Sequence, residues 1–202
     1  MENFDVLNER GEFTGKVASR EECHTLGLWH RAVYAFIINH DGQILLQKRS
    51  PNKKLWPNMW DVTVGGHVQA GELGRQAIIR ECKEELGIDI GDNDIKYLVG
   101  SSSVYNNKGY LNNHYDECYL ITKDIEISKL KLQFEEVSEA KYFSKQEILD
   151  RINNNYEGMT EKTGSWNIFK FVLESNYINK WGKNGWFKFS MHATIYWIGK
   201  RI

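Results

Sequence analysis

The chain has 202 residues, of which 41% are hydrophobic and 26% charged. That balance is ordinary for a soluble globular protein and leaves enough chain for one large domain with a proper core. The net charge of −1 gives no ground for non-specific attraction to nucleic acid or to an acidic membrane surface, and no apolar run approaches the ~20 residues that span a bilayer. Cys23, Cys82 and Cys118 are widely spaced and lack a zinc-knuckle pattern, which suits a reducing compartment. The acidic, polar start of the chain is not a signal peptide, so the expected location is cytoplasmic.

In chain order, residues 4–7 and 13–17 predict two short strands about a turn at 8–11. Residues 19–26 are polar and carry Cys23-His24. Residues 32–39, rich in Val, Tyr, Phe and Ile, predict a strand opened by Trp29-His30-Arg31, and Asp41-Gly42 predicts a hairpin turn to a partner strand at 43–48. Residues 49–58 form a basic loop broken by Pro51 and Pro57. Residues 60–64 predict a short strand that leads into a glycine turn at Gly65-Gly66, where tolerance of positive φ lets backbone carbonyls come close to a ligand. A helix follows, closed by Gly87.

Beyond that helix, strands are expected at 95–104 and 115–122, on either side of an Asn- and Gly-rich loop at 105–114 over the site. A strand at 140–143 leads to a helix capped by Ser144, ending near residue 152. A last helix is expected at 166–177, with helical apolar spacing at Ile168, Phe171 and Val172. The aromatic and basic tail, 181–202, is expected to pack on a domain formed by residues 1–180. Strands on both sides of a helix, followed by a later helix, predict an α+β fold: a helix–sheet–helix sandwich with a central mixed sheet.

The stretch 65–88 carries the chemistry. Ile78, Cys82 and Leu86 recur at i, i+4 and i+8 and make one helix face apolar. At roughly 100° per residue, Glu81, Glu84 and Glu85 fall on an arc beside that stripe, and Glu85 borders it closely enough to be shielded from water. Like charges at this spacing destabilise a helix unless something neutralises them. A hard divalent cation does so, because it prefers carboxylate oxygens. Arg80 can pair with Glu84 at i+4, or with Glu72 at the helix start. A hard divalent cation such as Mg²⁺, with Mn²⁺ as a substitute, held by Glu81, Glu84 and Glu85 would lower the pKa of a bound water and orient it. In the basic loop, Arg49, Lys53 and Lys54 either meet phosphate oxygens or are solvated surface charges.

Gly66, five residues, Glu72, seven residues, then Arg80-Glu81-Cys82-Lys83-Glu84-Glu85-Leu86-Gly87-Ile88 follow one another without a gap. This resembles the signature of the Nudix hydrolase family. A merely solvated acidic helix would not need the glycines, the arginine and four glutamates at these spacings. The resemblance implies the same sandwich fold, and it implies that Glu81 and Glu85 hold metal. It further implies that the carbonyl of Gly65, just before the first motif glycine, is a metal ligand, and that Glu81 or Glu84 serves as general base or positions the water. The candidates are therefore Glu81, Glu84 and Arg80 for catalysis; Gly65, Glu81, Glu84 and Glu85 for metal; and Arg49 and Lys53 for substrate. The expected activity is Mg²⁺-dependent cleavage of a diphosphate linkage in a nucleoside diphosphate or a nucleoside diphosphate-linked compound. The expected partner is a small-molecule diphosphate, with neither nucleic acid nor membrane, and a homodimer is admitted.

Outside this box, Cys23-His24, Trp29-His30-Arg31, residues 45–50, Lys53-Lys54-Leu55-Trp56-Pro57 and residues 60–72 resemble the branch that contains isopentenyl diphosphate isomerase. In those isomerases, histidines at the positions of His24, His30 and His67 help to bind a second metal, together with two glutamates from a later strand. Here Glu117 matches the second glutamate and Tyr115 replaces the first. The isomerase catalytic cysteine is replaced by Gly65, which leaves no thiol for proton transfer. A hydrolase on an isomerase-like frame is thus expected ahead of an isomerase or a non-catalytic diphosphate-binding module.

Overall fold

A computed structural model describes residues 2–107, 109–160 and 164–174. Asn3–Leu7 (β1) and Phe13–Ser19 (β2) pair antiparallel. Arg20–Leu26 (α1) follows, and it was not evident from periodicity, because a seven-residue helix that buries only Cys23 and His24 shows no repeating stripe. Its signal is a reciprocal cap: Ser19 Oγ accepts from the Glu22 amide and Glu22 Oε2 accepts from the Ser19 amide at 2.8 Å. Gly27 ends it in the left-handed region at φ 66°.

His30–Ile38 (β3) is the spine of the main sheet. It pairs parallel with Tyr110–Thr122 (β8) along its whole length. On its other edge it pairs antiparallel with Ile44–Arg49 (β4) and with Val64–His67 (β6). Trp60–Asp61 (β5) and Val137–Phe143 (β9) pair with β4, and Ile95–Asn107 (β7) pairs with β8. The sheet is mixed, as expected.

Alternation along β3 divides the core in two. Val33, Ala35 and Ile37 face Ala77, Ile78, Cys82 and Leu86 of the helix Gly74–Leu86 (α2). Tyr34, Phe36 and Ile38 face Ile148 and Ile152 of Lys145–Asn153 (α3) and Trp166, Phe169 and Leu173 of Gly164–Glu174 (α4). Each large apolar side chain buried this fully contributes roughly 1.5–3 kcal/mol. The helix–sheet–helix layering is therefore observed. In α4 the buried stripe is Trp166, Phe169 and Leu173, with Ile168 only partly covered. The predicted tail at 181–202 lies outside the described residues.

Two expectations are corrected. Residues 60–66 do not form a strand that leads into a turn. They form two strands, β5 and β6, and Gly65 and Gly66 lie inside β6, opposite Tyr34 and Val33, without positive φ. The run 105–114 is not a loop over the site: β7 and β8 continue to a tight turn, with Asn107 opposite Tyr110 and Gly109 at φ 87°. Its polar side chains hid the strands, but the ladder is made by backbone groups. The hairpin arm is tied to α1, since Asn113 Nδ2 donates to the Gly27 carbonyl at 2.7 Å.

Candidate active site

Arg80, in the second turn of α2, organises the acidic face. Its Nε and Nη2 donate to the two carboxylate oxygens of Glu72, each at 3.0 Å, and Nη2 also donates to the His67 carbonyl at 3.0 Å. Nη1 donates to Glu81 Oε1 at 2.7 Å and to Glu84 Oε2 at 3.1 Å. Those five bonds match the full donor capacity of a guanidinium. Both sequence-predicted partners of Arg80, Glu72 and Glu84, are thus engaged together.

Glu81 and Glu85 are buried, whereas the Glu84 side chain is 52% exposed. Burial pushes the Glu81 carboxyl up to about 7, against the pull of Arg80. Burial also pushes Glu85 well above the usual carboxylate range, and repulsion from Glu81 adds to it; its neutral partner is Gln47, whose Nε2 donates to Glu85 Oε2 at 3.2 Å. Glu72 behaves oppositely: burial raises it, but the Arg80 hydrogen bonds prevail and hold it low. Two buried carboxylates that resist ionisation form a donor set that a hard dication would satisfy. The glycine beside them is there for space. A Cβ on Gly66 would lie 2.1 Å from Glu81 Oε1, whereas one on Gly65 would meet nothing closer than 3.5 Å.

Arg49 and Lys53 border this group through carboxylates. Arg49 Nη1 donates to Asp61 Oδ2 at 3.2 Å and its Nε to the Leu55 carbonyl at 3.1 Å. Lys53 is ion-paired with Glu136. Asp61 and Glu136 both add to the negative field at Glu85. Sequence reasoning missed these two acids, because each meets its cation through the fold rather than at a local spacing along the chain.

The NUDIX domain profile matches residues 28–163. The chain belongs to the Nudix family. It is an enzyme of the Nudix hydrolase class, which acts on phosphoric anhydrides. An uncharacterized Nudix hydrolase of Listeria monocytogenes is 40% identical over 148 residues, covering 73% of this chain and 83% of that one. A crystal structure of a Deinococcus radiodurans protein superposes with a TM-score of 0.62 at 26% identity, covering 84% of this chain and 98% of that one. An isopentenyl-diphosphate Δ-isomerase of Salmonella heidelberg is 40% identical over 92 residues, but these are 45% of this chain and 50% of the isomerase.

Of the isomerase-like histidines, His30 and His67 lie on the sheet face opposite the Nudix helix, and His24 comes from α1. His67 is opposite Ala32, and His114 is opposite His30, in phase with Tyr34 and Cys118. The ligating nitrogens of His24, His30, His67 and His114 all lie within 4.8 Å of one another. Glu117 does not join them. It is one strand position out of phase, accepts from the Tyr119 hydroxyl at 2.5 Å, and sits under Gly74, where a Cβ would lie 2.1 Å from Glu117 Oε2. Tyr115 donates to the Glu9 carbonyl at 2.6 Å. Glu117, which the resemblance matches to an isomerase glutamate, therefore stands apart from the histidines, and His114 lies beside them instead. The sequence carried no clear signal of the phase, since Cys118, Tyr119, Leu120 and Ile121 are all apolar and all buried and so show no alternation.

Proposed function

We propose that this protein is a Mg²⁺-dependent pyrophosphohydrolase, with Mn²⁺ as a substitute metal, that cleaves the diphosphate linkage of a nucleoside diphosphate or a nucleoside diphosphate-linked compound. The observation that carries this reading is the pair of buried carboxylates, Glu81, held beside Gly66 by Arg80, and Glu85, held by Gln47. Their burial makes sense with a dication between them and a diphosphate, and is costly without one. Glu81, Glu85 and the Gly65 carbonyl would hold the metal, with Glu84 at the edge of the set. Bound there, it would neutralise phosphate charge and acidify a water.

The chain's own residues would do the rest. Arg80 is a positioning residue, since its donors are already spent on Glu72, Glu81, Glu84 and the His67 carbonyl. Glu84 is the most exposed of the three helix carboxylates and would take the proton as water attacks phosphorus and the anhydride P–O bond breaks. A carboxylate committed to metal is the poorer base. Arg49 and Lys53 would exchange Asp61 and Glu136 for phosphate oxygens. Trp56, paired with Tyr105 at 5.3 Å between ring centroids, offers a surface on which a base could stack. No helix among the described residues is long and apolar enough to cross a membrane.

The test is a panel of nucleoside diphosphates and diphosphate-linked compounds assayed with Mg²⁺, scored by which bond breaks. Turnover that requires the metal and collapses in Glu81→Gln and in Glu85→Gln is expected. Tight binding without turnover in Mg²⁺ or Mn²⁺ would instead indicate a binding module. Interconversion of the two five-carbon isoprenoid diphosphates would indicate an isomerase in spite of Gly65.

A further inference from the structure

We infer that His24, His30, His67 and His114 bind one d-block dication of the zinc class through their four Nε2 atoms, in a closed structural site separate from the hydrolytic centre. The resemblance to isomerases implies a metal near three of these residues, but held with carboxylates. The set found here has only nitrogen donors, because strand phase turns Glu117 away and brings in His114.

Three observations support the assignment. First, all four Nε2 atoms are buried and lack a hydrogen-bond partner. Buried polar atoms are rarely left so, and four on one cluster point to a shared ligand. Second, two of the outer nitrogens are committed. His24 Nδ1 contacts the Leu111 carbonyl at 3.1 Å and His30 Nδ1 contacts the Leu28 carbonyl at 2.8 Å. A carbonyl only accepts, so Nδ1 carries the proton in both rings and Nε2 presents its lone pair inward, as in metal-ligating histidines. Third, the walls are aromatic. Phe4 stacks on His30 at 5.1 Å and on His67 at 4.8 Å, and Tyr110 stacks on His24 at 4.3 Å.

Burial lowers the proton affinity of all four rings, His30 to about 4. The nearby carboxylate, Asp116, accepts from Ser103 at 2.6 Å. Imidazole suits zinc, cobalt and nickel better than magnesium, which takes oxygen. Four protein ligands leave no open position, which is the mark of a structural rather than a catalytic site. The ligands come from α1, β3, β6 and β8, so one ion would fasten the N-terminal helix to the three strands at the centre of the sheet.

The full chain, freed of metal, is titrated with Co²⁺ and Zn²⁺ in excess Mg²⁺. One equivalent of Co²⁺ is expected to give the intense visible band of four-coordinate cobalt, to be displaced by Zn²⁺, and to raise the melting temperature. The band should persist in Glu81→Gln/Glu85→Gln, where oxygen ligands are lost, so its appearance does not depend on the hydrolase reading. His114→Ala should weaken Zn²⁺ binding by roughly 100-fold or more, since losing outer-sphere partners alone costs about 10–100-fold. Should His114→Ala fail to fold, His114→Cys should keep the site and add a thiolate-to-cobalt charge-transfer band. Absence of the visible band in the wild-type chain, unchanged Zn²⁺ affinity in His114→Ala, or loss of the band in the glutamate double variant would overturn the assignment.

Discussion

Gly66 and Glu81 are packed so closely across the β6–α2 interface that a methyl group on the glycine would lie 2.1 Å from the carboxylate oxygen Oε1. Gly66→Ala therefore has to displace Glu81 and, with it, one bond of Arg80. Its neighbour has room, since a Cβ on Gly65 meets only Val62, Tyr34 and the Val33 carbonyl at 3.5–3.6 Å. Gly66→Ala is expected to lower kcat by about 100-fold or more, as misplacement by about 1 Å does, while Gly65→Ala keeps the fold and most of the activity. Equal loss in the two variants would show that space beside Glu81 is not what the second glycine provides.

Arg80 joins Glu72, Glu81, Glu84 and the His67 carbonyl, so its loss frees several mostly buried acceptors at once. Arg80→Ala should destabilise the protein by about 3 kcal/mol, near the low end for breaking a buried ion pair because the guanidinium is partly exposed. Arg80→Lys should recover little of this, as an ammonium cannot reproduce the planar fork. Urea unfolding of the two variants measures the difference; full recovery by lysine would mean that charge alone is required.

Stability without metal should fall as pH rises. Glu81 and Glu85 hold protons more tightly folded than unfolded, where the ordinary value is 4.5, with Glu81 raised to about 7 and Glu85 raised well above that ordinary value. A raised folded pKa gives stability that is complete below the unfolded value and is lost as pH climbs through the folded one. The buried histidines act in the opposite sense, so the contribution is isolated by comparison with Glu85→Gln. From pH 5 to pH 8 in chelator, the melting temperature of the wild type should drop relative to that variant, and Mg²⁺ should remove the drop. Parallel curves in chelator would contradict the burial argument.

Lys53 is ion-paired with Glu136 at a half-open edge, so Lys53→Ala should change stability by no more than about 1 kcal/mol. If it exchanges that partner for a phosphate, one charge-assisted hydrogen bond worth roughly 1.5–3 kcal/mol is lost, and kcat/KM should fall by about 10- to 100-fold. Arg49→Ala should show the same loss of activity with more loss of stability, since Arg49 is the better buried of the two and also bonds the Leu55 carbonyl. Unchanged kcat/KM in Lys53→Ala would leave it a counter-ion of Glu136 only.

What the sequence determined by itself was whatever is written in near-neighbour spacing. The helix with its Gly87 stop, the Arg80–Glu84 pairing, the shielding of Glu85 and the Ser144 cap all depend on residues within one or two turns of each other, where chain geometry dictates who meets whom. The sandwich followed from the order of such elements. What only the tertiary structure decided was anything that depends on one strand's phase against another. A shift of one residue reverses every side chain, and that shift separates Glu117 from the histidines and admits His114. Long-range pairing also gave Arg49 and Lys53 their carboxylate partners Asp61 and Glu136. It turned Gly66 from part of an expected turn into a clearance for Glu81, because no local pattern tells how near a distant side chain will come.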